Sequence, residues 1–184
     1  MTLKSSFAAA LTLISGAAVL YVILNHAVHA PPPSLGHFRR EAALETPAVE
    51  FVDAKGAVHR LAEFKGRYVL VNLWATWCAP CGEELPHLSR LARAVDSHRL
   101  VVIAVAIPPG NVAAARAFLV AHNAAGLAAY FDARTMFLRS FHAWGLPLTI
   151  LIDPKGREIG RAFGKQDWDA ADAMLWLQET TRDA

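Results

Sequence analysis

Residues 68–86 read YVLVNLWATWCAPCGEELP. The opening run of eight, residues 68–75, is almost unbroken apolar, the pattern of a strand buried on both faces. After Pro80 the period changes, and Leu85, Leu88, Leu91 and Ala92 recur at the spacing of an amphipathic helix over residues 80–95. The stretch therefore reads as a strand running directly into a helix. Cys78 and Cys81, the only cysteines in the chain, sit at the junction.

That placement has chemical consequences. The first turn of a helix presents unpaired N–H groups and a partial positive charge. Both stabilise a thiolate and pull a thiol below its usual pKa of about 8.5. Pro80 falls in that first turn, where its missing N–H costs little. Cys81 lies about one turn beyond Cys78, close enough for the two sulfurs to bond. In this reading Cys78 attacks a partner disulfide and Cys81 resolves the mixed disulfide. Two other readings stay open on the spacing alone. A structural zinc site needs four ligands, and there is no second CxxC to supply the missing pair. A copper site would draw on the cysteines and a histidine; His87 and His142 could contribute in principle, but nothing in the sequence fixes them near the sulfurs, and both read more simply as surface residues.

Outward from the junction, the chain alternates strand and helix. Residues 47–61 read as a hairpin at a sheet edge, with DAKG as its turn. Residues 99–107 form a second buried strand, stopped by Pro108, Pro109 and Gly110. Asn111 caps a helix through Ala121, a short strand covers residues 128–131, and residues 134–144 carry a helical pattern. Residues 148–153 and 157–163 form a closing hairpin around the turn PKG. A C-terminal helix over residues 167–181 offers Trp168, Ala171, Met174, Leu175 and Leu177 for burial. The expectation is an α/β domain with a mixed central sheet covered on both faces.

The whole chain sets bounds on this. With 184 residues there is room for one ordinary domain and an appendage. The formal net charge is +2 and the basic residues are scattered, so no nucleic-acid partner is expected. Two cysteines cannot staple a small secreted scaffold, so the core must hold by burial. Residues 7–24 form an uncharged apolar run of about 18 residues, behind Lys4. A membrane-spanning helix needs about 17–25 such residues and a signal-peptide core about 7–15. Residues 1–30 therefore read as a membrane anchor, with a cleaved signal as the alternative. Residues 31–46, opening with three prolines, read as a linker, and the folded domain is expected over residues 47–184.

WCAPC after a VNLWAT strand resembles the thioredoxin superfamily, and GLPLTILID resembles that fold's cis-proline loop, with Pro147 at the cis position. The lead-in LAEFKGRYVLVNLWATWCAPC and the CGEELP pattern are similar to the TlpA/ResA-like exported thiol–disulfide oxidoreductases. The separation of Cys81 from Pro147 leaves room for that branch's central helix–strand insertion, over residues 111–131. The resemblance implies a thioredoxin fold with an N-terminal hairpin extension. It implies Cys78 and Cys81 as redox residues, Glu84 as the motif acid, and Trp77, Leu146 and Pro147 as the substrate-docking surface. No metal or cofactor is implied. Asn72 stands where thioredoxin has a buried aspartate, which gives Glu84 more weight as the proton carrier. Glu84 follows Cys81 by three residues and so shares its helical face. A carboxyl held there in apolar surroundings would have a raised pKa. Glu83 reads as the solvated neighbour.

The same resemblance implies a periplasmic enzyme tethered at the inner membrane, recharged by an electron donor of the DsbD or CcdA type. The implied clients are exported proteins bearing disulfides, such as apocytochrome c or a metallochaperone. Strong oxidants of this fold carry a histidine between the cysteines; Ala79 and Pro80 offer no such group, which favours a reductant. An oxidant or isomerase, and a copper-binding assembly module, are the alternatives. A thiol peroxidase is disfavoured because the Pro/Thr loop motif of its cysteine is absent. Two segments depart from the branch: residues 103–112 lack its acidic residues, and Ala143 and Trp144 replace a valine and a polar residue. Trp144 is either a docking residue or simple packing.

Overall fold

The structure is a computed structural model and describes residues 30–108, 111–132 and 134–182. The chain divides after Ala30, and the unit Pro31–Ala184 holds the fold. The anchor read at residues 1–30 lies outside the described residues, apart from Ala30. Among the described residues no helix is long and apolar enough to cross a membrane.

Eight strands form one mixed sheet: β1 (Phe38–Glu45), β2 (Glu50–Val52), β3 (Val58–Arg60), β4 (Tyr68–Trp74), β5 (Leu100–Ala106), β6 (Ala128–Phe131), β7 (Leu148–Ile152) and β8 (Arg157–Phe163). Among the described residues four helices cover it: α1 (Ala79–Ala94), α2 (Val112–Ala121), α3 (Met136–Ser140) and α4 (Ala171–Thr180). The strand order is β1-β8-β7-β4-β5-β6-β2-β3. β4, β5 and β6 run parallel, and the remaining pairs are antiparallel. The fold class and the edge hairpin thus match the sequence expectation, as does the inserted α2–β6 unit.

Strand periodicity divides the core. Val69, Val71 and Leu73 of β4 point to one face, where they meet Ile103, Val105, Ile150, Phe137 and Phe141. Leu70 and Trp74 point to the other, against Leu85, Leu88 and Leu91 of α1. Each fully buried leucine there contributes about 1.5–3 kcal/mol. Asn72 shares the α1 face with Leu70 and Trp74 and is fully buried. The alternation therefore places one polar side chain inside the layer between sheet and α1.

Residues 31–46 are not a linker. Pro33–Leu35 form a 3-10 turn, and Phe38–Glu45 form the outermost strand, paired with β8 from Phe38↔Ala162 to Glu45↔Arg157. Leu35 and Phe38 are buried, and the Phe38 ring packs edge-on to Trp176 at 5.2 Å and Trp168 at 6.2 Å. A strand with one partner and one buried residue has no apolar alternation to read, hence the misassignment. Gly160 lets β1 approach, since a Cβ there would lie 2.5 Å from the Phe38 ring.

Two helices also differ from expectation. α3 is confined to Met136–Ser140 because left-handed Thr135 and His142 bound it. The Asp132 carboxylate accepts from the N–H groups of Met136 and Phe137, and Ala143 N–H closes the far end on the Leu138 carbonyl. In α4 the buried stripe is Ala173, Trp176 and Leu177, while Leu175 is exposed. Trp168 is buried too, but in the turn before α4, which shifts the helical phase.

Candidate active site

Strand β4 ends at Trp74 and α1 begins at Ala79, so the intervening turn delivers Cys78 as the N-cap of α1. Cys78 and Cys81 are joined in a disulfide with Cα atoms 5.3 Å apart. The Cys81 N–H points at Cys78 Sγ, 3.3 Å away. Cys78 thus accepts at a helix N-terminus, where a thiolate formed on reduction gains the same donor. Pro80 occupies the first turn as expected. Next to the pair, the Gly82 backbone is covered by the His122 imidazole: a Cβ at Gly82 would lie 2.5 Å from His122 Cε1. His122 ends α2, packs on Phe118 at 4.2 Å, and Phe118 stacks on buried Trp74. The insertion is therefore keyed directly to the cysteine helix.

The peptide bond between Leu146 and Pro147 is cis. Leu148 follows and pairs with Leu73 of antiparallel β7–β4, so Pro147 lies at the same end of the sheet as the turn carrying Cys78. Pro147 is buried and its carbonyl accepts from Gly164 N–H at 2.9 Å. Leu146 is half-buried. Trp77, beside Cys78, is 59% exposed, and Trp144 is 80% exposed. Trp144 is not loose: its ring stacks on Phe163 at 4.3 Å. Two large aromatic faces thus flank the cysteine turn and the proline loop in solvent.

Glu84 is fully buried. Its Oε1 accepts from Trp168 Nε1–H at 2.7 Å and from the Gln166 backbone N–H at 3.0 Å. Its Oε2 accepts from Asn72 Nδ2–H at 2.8 Å. All three donors are uncharged. Burial pushes the Glu84 carboxyl up to about 7, against the opposing pull of those three hydrogen bonds and the more distant Lys165 ammonium. Glu83, the next residue along the helix, is exposed and pairs with Lys165 at 3.2 Å. Of the two adjacent glutamates, Glu84 is thus enclosed and Glu83 solvated.

His87 is held by Asp169 at 2.5 Å, with Arg90 on the same carboxylate. His142 is exposed at the end of α3. Among the described residues no group of three or more His, Cys, Asp or Glu side chains is placed to hold a metal ion. The sequence reading missed the clamp on Glu84: Gln166 and the polar end of Trp168 lie 82 and 84 positions away. Trp168 was legible only as an apolar residue to bury. Thr149, whose hydroxyl accepts from Asn72 at 2.9 Å, was read only as part of a strand.

The chain belongs to the AhpC/TSA family, whose model matches residues 42–167. It is 26% identical over 146 residues to the thiol-disulfide oxidoreductase ResA of Geobacillus kaustophilus, covering 78% of this chain and 83% of the relative. It is 32% identical over 122 residues to the protein of the same name from Geobacillus thermodenitrificans, covering 62% of this chain and 66% of that one. A thiol:disulfide interchange protein from Bacteroides sp. superposes with a TM-score of 0.67 at 22% identity, covering 78% of this chain and 91% of that structure. These likenesses identify a TlpA/ResA-like thiol–disulfide oxidoreductase with a thioredoxin fold.

Proposed function

We propose that this oxidoreductase works as a membrane-tethered reductase of disulfides in exported proteins, with Cys78 as nucleophile, Cys81 as resolver and Glu84 as proton carrier. The observation that carries the reading is a CxxC pair at a helix N-terminus with an enclosed carboxyl, lacking a cation in hydrogen-bond contact, on the same helix.

In the reduced enzyme the Cys78 thiolate attacks one sulfur of a client disulfide. A Cys78–client S–S bond forms, and the second client sulfur leaves as a thiolate that takes up a proton. Cys81 then gives its proton to the Glu84 carboxylate and attacks Cys78 Sγ. The enzyme disulfide closes, the client's remaining sulfur is released, and the client has gained two electrons. A carboxyl that titrates near 7 both accepts and returns a proton at neutral pH, which suits a general acid–base group. Trp77, Leu146 and Pro147 form the surface on which the client backbone docks.

The N-terminal segment supports tethering, and with it a periplasmic site at the inner membrane. An oxidising compartment requires a donor that restores the dithiol, here a membrane carrier of the DsbD or CcdA type. Apocytochrome c and metallochaperone cysteines are the proposed clients. The names of the ResA relatives support the chemistry of exchange, and Ala79 and Pro80 support the reducing direction.

The test is the reduction potential of the Cys78–Cys81 pair against a glutathione buffer. A reductase sits near thioredoxin, at about −270 mV. A value near the strong oxidants, about −120 mV, would overturn the direction proposed.

A further inference from the structure

The two oxygens of Glu84 are not equivalent. Oε1 faces two donors that cannot reverse, the Trp168 indole N–H at 2.7 Å and the Gln166 backbone N–H at 3.0 Å. A proton on Oε1 would point at other protons. Among the described residues Oε2 accepts one hydrogen bond, from the Asn72 amide at 2.8 Å. An amide carries a donor end and an acceptor end of nearly the same shape, and can exchange them by turning about its own axis. In the present state Nδ2 serves both Glu84 Oε2 and Thr149 Oγ1, while buried Asn72 Oδ1 has no hydrogen-bond partner. The amide thus holds an unused acceptor beside a carboxyl that will need one when it protonates.

We propose that the proton of Glu84 resides on Oε2 and that Asn72 is its positioning residue, turning its side-chain amide end for end as the proton comes and goes. This rests on the reading of Glu84 as proton carrier. With Glu84 ionised, the NH2 of Asn72 donates to the carboxylate and to Thr149. With Glu84 protonated, Oδ1 takes the place of Nδ2, accepts from Glu84 Oε2–H, and accepts from the Thr149 hydroxyl. A hydroxyl can accept in the first state and donate in the second, so Thr149 suits both. The contact distances, 2.8 and 2.9 Å, suit O–H···O bonds as well as N–H···O bonds. A fixed donor in place of Asn72 would serve only the carboxylate, and a fixed acceptor only the acid. The asparagine lets the buried carboxyl change charge without stranding its proton.

The other charged groups around Glu84 come from three elements. On α1 itself are Glu83, the two active-site sulfurs when reduced, and His87, which is held by Asp169 of the turn before α4. From the segment after β8 come Lys165, paired with Glu83, and Asp167, whose carboxylate lies 4.0 Å from His87. β4 and β7 contribute only the neutral Asn72 and Thr149.

The test is a pH titration of the oxidised full-length protein in detergent, with labelled glutamate and asparagine followed by NMR. The Glu84 carboxyl carbon reports the proton, and the Asn72 side-chain NH2 reports the amide. The expected result is one shared midpoint: as Glu84 protonates, the Asn72 NH2 signals move to the position of an unbonded amide and lose protection from solvent exchange. If Glu84 titrates while the Asn72 NH2 keeps its shift and protection, the inference fails and the proton-carrier reading stands. If Glu84 shows no titration between roughly pH 5 and 9, the proton-carrier reading fails, and the amide turn with it.

Discussion

Two buried glutamates in one domain have been given opposite chemistry by their partners. Glu158, on β8, is 4% exposed and is gripped through both oxygens by the Arg161 guanidinium, which also donates to the Phe141 carbonyl at 2.9 Å. Glu84, on α1, is fully buried and meets only neutral N–H donors. The first is an ion pair: the hydrogen bonds to the Glu158 carboxylate raise the pKa of the arginine, against the opposing effect of burial. The second has no such cation in contact, so desolvation dominates and the carboxyl sits at about 7. The proposed role of Glu84 as proton carrier rests on burial beside a donor set without charge.

Breaking the ion pair is expected to have the largest effect on stability. Arg161→Met strands a buried carboxylate and should cost about 3 kcal/mol or more, read by urea denaturation, with thiol exchange unaltered. A loss of exchange activity in the folded variant would mean that the two glutamates are not independent.

Glu84 should reveal itself through pH. Its folded pKa, about 7, lies above its ordinary value of 4.5. Between those values the folded protein holds a proton that the unfolded chain has released, so stability falls as pH rises through the window. The shift corresponds to about 3 kcal/mol by pH 8, with no contribution below pH 4. Glu84→Gln keeps its shape but cannot ionise, and should lack this decline. Comparing the two proteins cancels the contributions of the other titrating groups. The same variant should slow disulfide exchange about 100-fold at neutral pH. Parallel stability curves for the two proteins would break the contrast with Glu158.

A smaller effect is expected at the neighbouring Gly82. Gly82→Ala puts a methyl group into the His122 ring and should cost about 1–3 kcal/mol by thermal or urea unfolding. The variant sharpens the comparison by disturbing α1 without touching either carboxyl: it should shift stability while leaving the pH window of Glu84 in place.

The β4–α1 junction was legible because two strong signals adjoin there, a continuous apolar run and a helical repeat, with Pro80 marking the boundary. The parallel centre of the sheet was legible for the same reason. β1 was not: an outer strand exposes Arg39, Arg40 and Glu41, and Phe38 alone marks its buried side. The phase of α4 was misread because Trp168, though buried, precedes the helix; the stripe runs through Trp176 rather than Leu175. At the site, spacing gave Cys78, Cys81 and the helical face of Glu84. The donors that enclose Glu84 could not be found that way. Gln166 acts through its backbone, and Trp168 through one nitrogen on an otherwise apolar ring. Such contacts exist only once β8 has returned the chain to α1.

The assignment of roles to the two sulfurs can be decided by trapping. Purified Cys81→Ser and Cys78→Ser proteins, each reduced, are mixed with an unfolded protein carrying a disulfide, and the adducts are separated without reductant. Cys81→Ser should accumulate a stable mixed disulfide through Cys78, because no resolving thiol remains, and Cys78→Ser should form little. Efficient trapping by Cys78→Ser with none by Cys81→Ser would contradict the order of attack and the role of the helix N-terminus in activating Cys78.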